Sequence, residues 1–377
     1  MTMKIKKVQA TPLKIPVNFE DLGVDHKSFN NVTHVEVETD TGLLGYGLTS
    51  ITQSRPVAEA INSVLGPAII GMDPTLHERV WEKLYWTATP WAQSGYASHA
   101  ISAIDIALWD IKGRDQNLPV WRLLGGAHTS IPIYATCGFS FMSNREVVEV
   151  VKRVVEKGFT GVKLQVGRPG LDYKGKPPTL TQLIKDDIKR VTEIREAVGP
   201  DVEIAVDSAC RLDYVSALKL CEGLEELNIS FFEEPIVQND VNLLAKLRQK
   251  TSIPLSAGQN EGLAYRFRDF LVSQAVDVIQ PNVIITGGVT QCLRIAGMAS
   301  AFNVLISNGG GAPLHNGHFQ AGVTNGTAVE YQYNAVAACD VLYGIKPVHE
   351  NGCMVLSEDP GFGLQPKEEV IKYAADV

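Results

Sequence analysis

Asp207 and Glu233 each end a short apolar run, Ile204-Ala205-Val206 in one case and Ile229-Ser230-Phe231-Phe232 in the other. A free carboxylate is costly inside a buried strand, but a strand end can present it to an open mouth. Two hard oxygen donors on neighbouring strands suit Mg²⁺, which prefers octahedral oxygen and keeps several waters. The alternative is a pair of strand-end acids bonded to nearby cations. The spacing then repeats. Asp207 to Glu233 and Glu233 to Gln259 are 26 residues each, Gln259 to Asn282 is 23, and Asn282 to Asn308 is again 26. Each residue follows a short apolar segment, so five polar side chains are expected around one mouth, one βα unit apart.

The elements that must hold them read as two kinds. Over residues 1–125 the pattern is a β-meander (3–16, 32–39 and the strand into Gly45-Tyr46-Gly47) followed by helices at 56–65, 75–86 and 100–112. The last of these carries Ile101, Ile104, Ala107, Leu108 and Ile111 on one stripe, the spacing of a buried helix face. This predicts an N-terminal α+β capping domain over 1–125. From 126 to 340, short apolar strands alternate with amphipathic helices such as 145–157, 187–198, 215–224 and 242–250. The strands are expected at 131–136, 161–166, 203–206, 229–232, 254–257, 276–279, 304–306 and 327–329. Eight strands with helical crossovers predict a parallel (β/α) barrel of the TIM type, modified in its last, weakly defined crossover. Residues 341–377 fall outside the repeat and are expected to pack back on the first domain.

These segments carry a resemblance over essentially the whole chain. AISAIDIALWDIKGRDQNLPVWRLLGG (100–126), VGPDVEIAVDSA (198–209), FFEEP (231–235) and VDVIQPNVIITGGVTQ (276–291) resemble the mandelate racemase/muconate lactonizing enzyme branch of the enolase superfamily. The resemblance implies one Mg²⁺ per chain on Asp207, Glu233 and a third strand-end ligand. It also implies a carboxylate substrate whose α-proton is removed to give an enediolate. The third ligand would be Gln259 in Ala257-Gly258-Gln259-Asn260-Glu261, where the family usually has Glu; an amide oxygen can bind Mg²⁺ without charge. Glu261 is the other candidate.

The proton-moving residues depart from the pattern. The family's Lys-x-Lys reads Lys163-Leu164-Gln165, so Gln165 stands at the base position. Lys163 and Gln165 share a strand face. Lys163 is a candidate base if burial lowers its pKa; otherwise it supplies positive charge near the substrate. The His/Asp dyad is replaced by Asn308 and Asn282, counted with Gln165 as substrate-binding. After Gly309-Gly310-Gly311, His315 or His318 could reach back as an acid/base group, or be packed at a helix start. Glu330 matches a position for an electrophilic acid. Loops 21–29 and 49–52 would cover the mouth, with His26 and Lys27 as candidate substrate contacts or plain exposed loop. In the basic stretch 168–181, Tyr173, Lys174 and Lys176 could meet an anion, though a solvated loop is the simpler expectation.

Racemisation needs two bases on opposite faces, and both usual ones are missing. Dehydration needs one base and an acid. The expected activity is therefore a Mg²⁺-dependent lyase dehydrating an acid sugar to a 2-keto-3-deoxy acid. A racemase, epimerase or cycloisomerase is the first alternative; a metal-binding relative without catalysis is the second. The bulk composition agrees with a soluble enzyme: 45% hydrophobic, 20% charged, net charge −8. That charge argues against nucleic-acid binding, and no apolar run approaches membrane-helix length. Six scattered cysteines with no CxxC, and no secretory signal at the start, predict reduced thiols in a cytoplasmic protein. By analogy with the family, a homo-oligomer is expected.

Overall fold

The computed structural model describes residues 3–50, 53–90, 93–167 and 178–374. Three antiparallel strands open the chain: β1 (Ile5–Phe19), β2 (Val24–Thr39) and β3 (Leu44–Ser50). The segment expected as a covering loop at 21–29 is mostly strand. A turn at Glu20–Leu22 ends on Gly23 in the left-handed region (φ 69°), and β2 starts one residue later. The reason is a long β-ribbon whose half-buried residues alternate and whose tip rests on the barrel, His26 stacking on Phe141 with centroids 3.8 Å apart.

Helix Tyr96–Asp115 binds the two halves together. Its predicted stripe, Ile101 to Ile111, packs in the core of the first domain, while Ile106 and Trp109 belong to the barrel core. Strand β3 lies so close on this helix that a Cβ at Gly45 or Gly47 would collide with the carbonyls of Ala107 or Ala103; only glycine fits. The polar side of the helix caps the N-terminus of barrel helix Gly288–Ala301. Ser102 Oγ accepts the Gly287 and Gly288 N–H groups at 2.7 and 3.1 Å. Asp105 accepts the Thr290 N–H and hydroxyl at 3.0 and 2.6 Å, and Trp109 Nε1 donates to the same hydroxyl. These first-turn N–H groups have no intrahelical acceptor, so their caps come from another domain.

Eight parallel strands form the barrel: β4 (Ser130–Gly138), β5 (Gly161–Gln165), β6 (Glu203–Asp207), β7 (Ile229–Glu233), β8 (Leu255–Ala257), β9 (Val278–Ile279), β10 (Leu305–Ile306) and β11 (Val329–Gln332). β11 pairs with β4, and the Ile306 to Gly326 bridge with the Asn308 N–H to Ala328 bond closes the ring between β10 and β11. The indistinct last crossover is helix Pro313–Gly322, in which all ten residues are buried. A helix buried all round shows no amphipathic period. The C-terminal segment meets the barrel before the first domain: β12 (His349–Glu350) and β13 (Cys353–Val355) form a hairpin that pairs antiparallel with β4. Further on, Phe362 N–H donates to Asp110, Arg114 donates to the Leu364 carbonyl, and Leu13 bridges Ala374. Among the described residues no helix is long and apolar enough to cross a membrane.

His315 and His318 sit inside this seam, 1% and 2% exposed, with burial pushing both pKa values down to about 3. The neighbouring His34 also disfavours charge on His315, and its close ring partners are Tyr343 and Phe362. A histidine depressed in the folded state takes up its proton first in the unfolded chain. Its stabilisation is complete above about pH 6.5 and falls as pH drops towards 3. Buried Asp105 and Asp187, raised to about 7 and about 6, gain stability over the same range, so the wild type is compared by denaturant unfolding with a His315→Gln/His318→Gln variant: from pH 7 to 5 the wild type should lose about 2 kcal/mol more per histidine, and equal pH slopes would contradict their neutral burial. Asp105→Ala, which strips the acceptor from two Thr290 donors, should cost about 2–3 kcal/mol in the same assay. An unchanged midpoint would mean that this cap does not hold the domains together.

Candidate active site at the barrel mouth

Parallel register places Gln165, Asp207 and Glu233 in one row at the ends of β5, β6 and β7. Lys163, two residues before Gln165, is 1% exposed and projects into the same space. Its Nζ lies 2.7 Å from Glu233, 3.0 Å from Glu330 and 3.6 Å from Asp207. Burial opposes its charge, but Glu233, Glu330 and Asp207 together outweigh it and hold the ammonium well above the usual lysine range. The expected lowering of the Lys163 pKa is thus reversed, because burial here comes with three carboxylates. Glu233 is fully buried, and that burial, with Asp207 and Glu330 nearby, raises its pKa well above the ordinary range despite Lys163. Its second oxygen accepts Gln280 Nε2 at 2.7 Å. Glu330 accepts the Gly311 N–H at 2.8 Å and the Thr136 hydroxyl.

Three carboxyl groups face one ammonium in a nearly dry site, and burial beside Asp207 and Glu330 disfavours charge on Glu233. A divalent cation would relieve that repulsion and hold the carboxylates charged. Among the described residues no three His, Cys, Asp or Glu side chains converge as a ready cage, so a third donor must be of another type. Gln259 is 7% exposed and its Nε2 donates to Glu234 Oε2 at 3.1 Å. That bond turns the amide oxygen the other way, towards Gly310, where an added Cβ would lie 3.2 Å from it. Glu261 is committed elsewhere, to Asn239 at 2.9 Å and Arg266 at 3.1 Å. The residues therefore suit a small hard cation held by Asp207, Glu233 and the Gln259 oxygen.

The two asparagines are not free to meet a substrate. Asn282 donates to the Gly309 carbonyl at 2.8 Å and accepts from Asn316 and the Ile284 N–H. Asn308 donates to the Gly309 carbonyl at 2.8 Å and accepts the Glu330 N–H at 3.1 Å. Both pin the glycine turn 309–311 against the carboxylates; a Cβ on Gly309 would sit 3.0 Å from Glu233. Their expected substrate contacts are replaced by backbone contacts that fix the turn. Gln165 likewise spends its Oε1 on the Ser140 N–H at 2.9 Å, tethering the loop after β4 on which His26 stacks through Phe141. His26 thus reaches the rim and not the carboxylates. The glycine turn does not carry His315 back to the mouth either. The packing of His315 on Phe362 faces it into the interdomain seam, while His318 Nδ1 accepts the Trp121 N–H at 3.2 Å. Thr52, Tyr173, Lys174 and Lys176 lie outside the described residues.

Several site residues escaped the sequence reading. Tyr134 donates to the Asn308 carbonyl at 2.6 Å, with Lys163 over its ring. Gln280 steadies Glu233. Glu234 is buried beside it at a positive φ of 44°, and accepts from Asn239, Gln259 and Asn260 at 3.0, 3.1 and 2.6 Å. The one available signal was the second acid in FFEEP, since a carboxylate next to an apolar strand needs a reason.

Residues 3–125 match the family described as Mandelate racemase / muconate lactonizing enzyme, N-terminal domain, and residues 146–370 match Enolase C-terminal domain-like. Arabinonate dehydratase of Saccharolobus solfataricus is 29% identical over 350 residues, 90% of each chain. The crystal structure of L-talarate dehydratase from Polaromonas sp. JS666, complexed with Mg and L-glucarate, superposes with a TM-score of 0.86 at 25% identity over 99% of this chain and 98% of that one. The 3,6-anhydro-D-galactonate cycloisomerase from Zobellia galactanivorans superposes with a TM-score of 0.85 at 30% identity over 99% of this chain and 100% of that one. With both halves matched and the carboxylate row standing at the strand ends, the chain belongs to the enolase superfamily, in its mandelate racemase/muconate lactonizing enzyme branch.

Proposed function

We propose that the chain is a Mg²⁺-dependent hydro-lyase that dehydrates an acid sugar to a 2-keto-3-deoxy acid. One observation carries this reading. Lys163 and Glu330 stand 3.0 Å apart as one acid/base pair. At the neighbouring strand ends Asn282 and Asn308, the latter accepting the Glu330 N–H, are amides bonded into the glycine turn and exchange no proton. A site with one such pair supports elimination, which needs one base and an acid, and not two-base racemisation. The names of two relatives, arabinonate dehydratase and L-talarate dehydratase, point the same way.

Asp207, Glu233 and Gln259 would hold the ion and bring the substrate carboxylate beside Lys163. When bound, Mg²⁺ supplies Lewis-acid stabilisation of the charge that develops on that carboxylate. With Asp207 and Glu233 engaged as ligands, two of the three partners that keep Lys163 protonated are neutralised. We assign removal of the α-proton to Lys163. The ammonium proton first passes across the 3.0 Å contact from Lys163 to Glu330, which frees the lysine to take the α-proton; the bond from the β-carbon to its hydroxyl then breaks, the oxygen leaves as water with that proton from Glu330, and the enol left behind becomes the keto acid.

A second reading has a specific support, the cycloisomerase similar over essentially the whole chain at 30% identity. If the β-oxygen belongs to a ring, the same elimination opens the ring and releases nothing. Incubation of the Mg²⁺-loaded enzyme with acid sugars in D₂O separates the cases by mass. Dehydration gives a keto acid lighter by one water, ring opening gives a keto acid that has lost nothing, each carrying one solvent deuterium on carbon, and isotope exchange without keto acid would overturn elimination altogether. Lys163→Met should lower keto-acid formation by at least about a hundredfold. Turnover within a few-fold of wild type would remove Lys163 from the reaction.

A further inference from the structure

Gln259 is the neutral member of the ligand set, and the group that makes neutrality necessary stands beside it. Glu234 directly follows Glu233. Strand alternation sends consecutive side chains to opposite faces, but Glu234 leaves that pattern with a φ of 44°, uncommon for a residue with a Cβ. Such a conformation persists only where its surroundings hold it. Three amides do so here. Asn239 Nδ2 donates to Oε1 at 3.0 Å, while Asn260 Nδ2 and Gln259 Nε2 donate to Oε2 at 2.6 and 3.1 Å. Glu234 is 0% exposed, so these donors stand in for water.

The donors around it differ in freedom. Asn239 Nδ2 also serves Glu261 at 2.9 Å, which holds its NH₂ end between two carboxyl groups and leaves its Oδ1 without a partner. Asn260 is exposed and can turn to solvent. Gln259 has a fixed backbone: Gly258 before it adopts φ 123°, and a Cβ there would meet Phe267 at 2.6 Å. What remains open at Gln259 is which end of its amide faces Glu234. An oxygen turned there would set acceptor against acceptor in a buried place. The nitrogen turned there makes a bond and leaves the oxygen for the ion; the reverse rotation would offer the ion an NH₂ group, which has donors and no acceptor. A glutamate at this position has no donor end. One of its oxygens would face Glu234 where the amide now bonds, placing two buried carboxylates together with no cation between them.

We propose that Glu234 and Gln259 are a matched pair: Glu234 is a positioning residue that fixes the Gln259 amide with its oxygen towards the ion, and its presence is why an amide and not a carboxylate serves as third ligand. This rests on the metal site above and deepens it. A third carboxylate ordinarily tightens the hold on a divalent cation. In this chain it does so only if residue 234 is changed with it, to a side chain that can donate.

The test is a double-mutant cycle read by calorimetric Mg²⁺ binding to the metal-free full chain at neutral pH, independent of turnover. Gln259→Glu alone should weaken Mg²⁺ by at least about fivefold. Made in the Glu234→Gln background, the same substitution should tighten it. A purely structural role for Glu234 gives no such change of sign. Both substitutions are isosteric, and thermal unfolding of the metal-free variants checks that they fold; should Glu234→Gln not fold, Gln259→Glu alone decides. Tighter binding by Gln259→Glu alone, or an effect of the same sign in both backgrounds, would overturn the pair. If Asp207→Asn still abolishes binding in that case, the metal site stands without the pair. No Mg²⁺ binding by the wild type would overturn both.

Discussion

Three carboxylates share one ammonium at the mouth of the barrel, and much of the site's construction follows from that imbalance. Lys163 stands 2.7–3.6 Å from Glu233, Glu330 and Asp207 with almost no water to screen them. Buried charges of one sign are expensive unless paired, and here one ammonium serves three carboxyl groups, so that charge on Glu233 is disfavoured. The chain answers with directed donors. Gln280 steadies Glu233, the Gly311 N–H and Thr136 hold Glu330, and the Ala209 N–H holds Asp207.

The same constraint explains the amides around it. Glu234 collects three amide donors and so orients Gln259 with its oxygen towards Gly310. Asn282 and Asn308 fix the glycine turn that walls the carboxylates on one side. The first domain must then be held still over that wall. Asp105 and Ser102 do this by capping a barrel helix from outside, with the glycines of β3 bringing their helix close to the sheet. Orientation at the mouth thus depends on hydrogen bonds made across the domain boundary.

How far this could be read from the sequence differed from part to part. The barrel strands were legible, each within a few residues, because a buried parallel strand is a short apolar run between turn signals. Helix Pro313–Gly322 was not, because uniform burial erases the polar face that marks a helix. Asp207 and Glu233 were visible as carboxylates at the ends of apolar strands. The charge state of Lys163 was not, because it is set by residues from β6, β7 and β11 that only the closed ring brings together. The asparagines could be named but their task could not, since their partners are carbonyls and N–H groups of a turn that exists only when folded. The glycine run leaves His315 free in the sequence either to reach the mouth or to pack at a helix start; in the fold those glycines are packed against Glu233 and Gln259, and the histidine takes the packed place in the seam.

The central claim is that this buried carboxyl cluster is built for a divalent cation held by Asp207, Glu233 and Gln259. The direct measurement is a calorimetric titration of Mg²⁺ into the metal-free chain at neutral pH, with thermal unfolding followed on the same samples. The account predicts one ion per chain, a rise in unfolding temperature with ion concentration, and marked weakening of both in Asp207→Asn. Absence of binding at millimolar Mg²⁺, or binding untouched by Asp207→Asn, would contradict it.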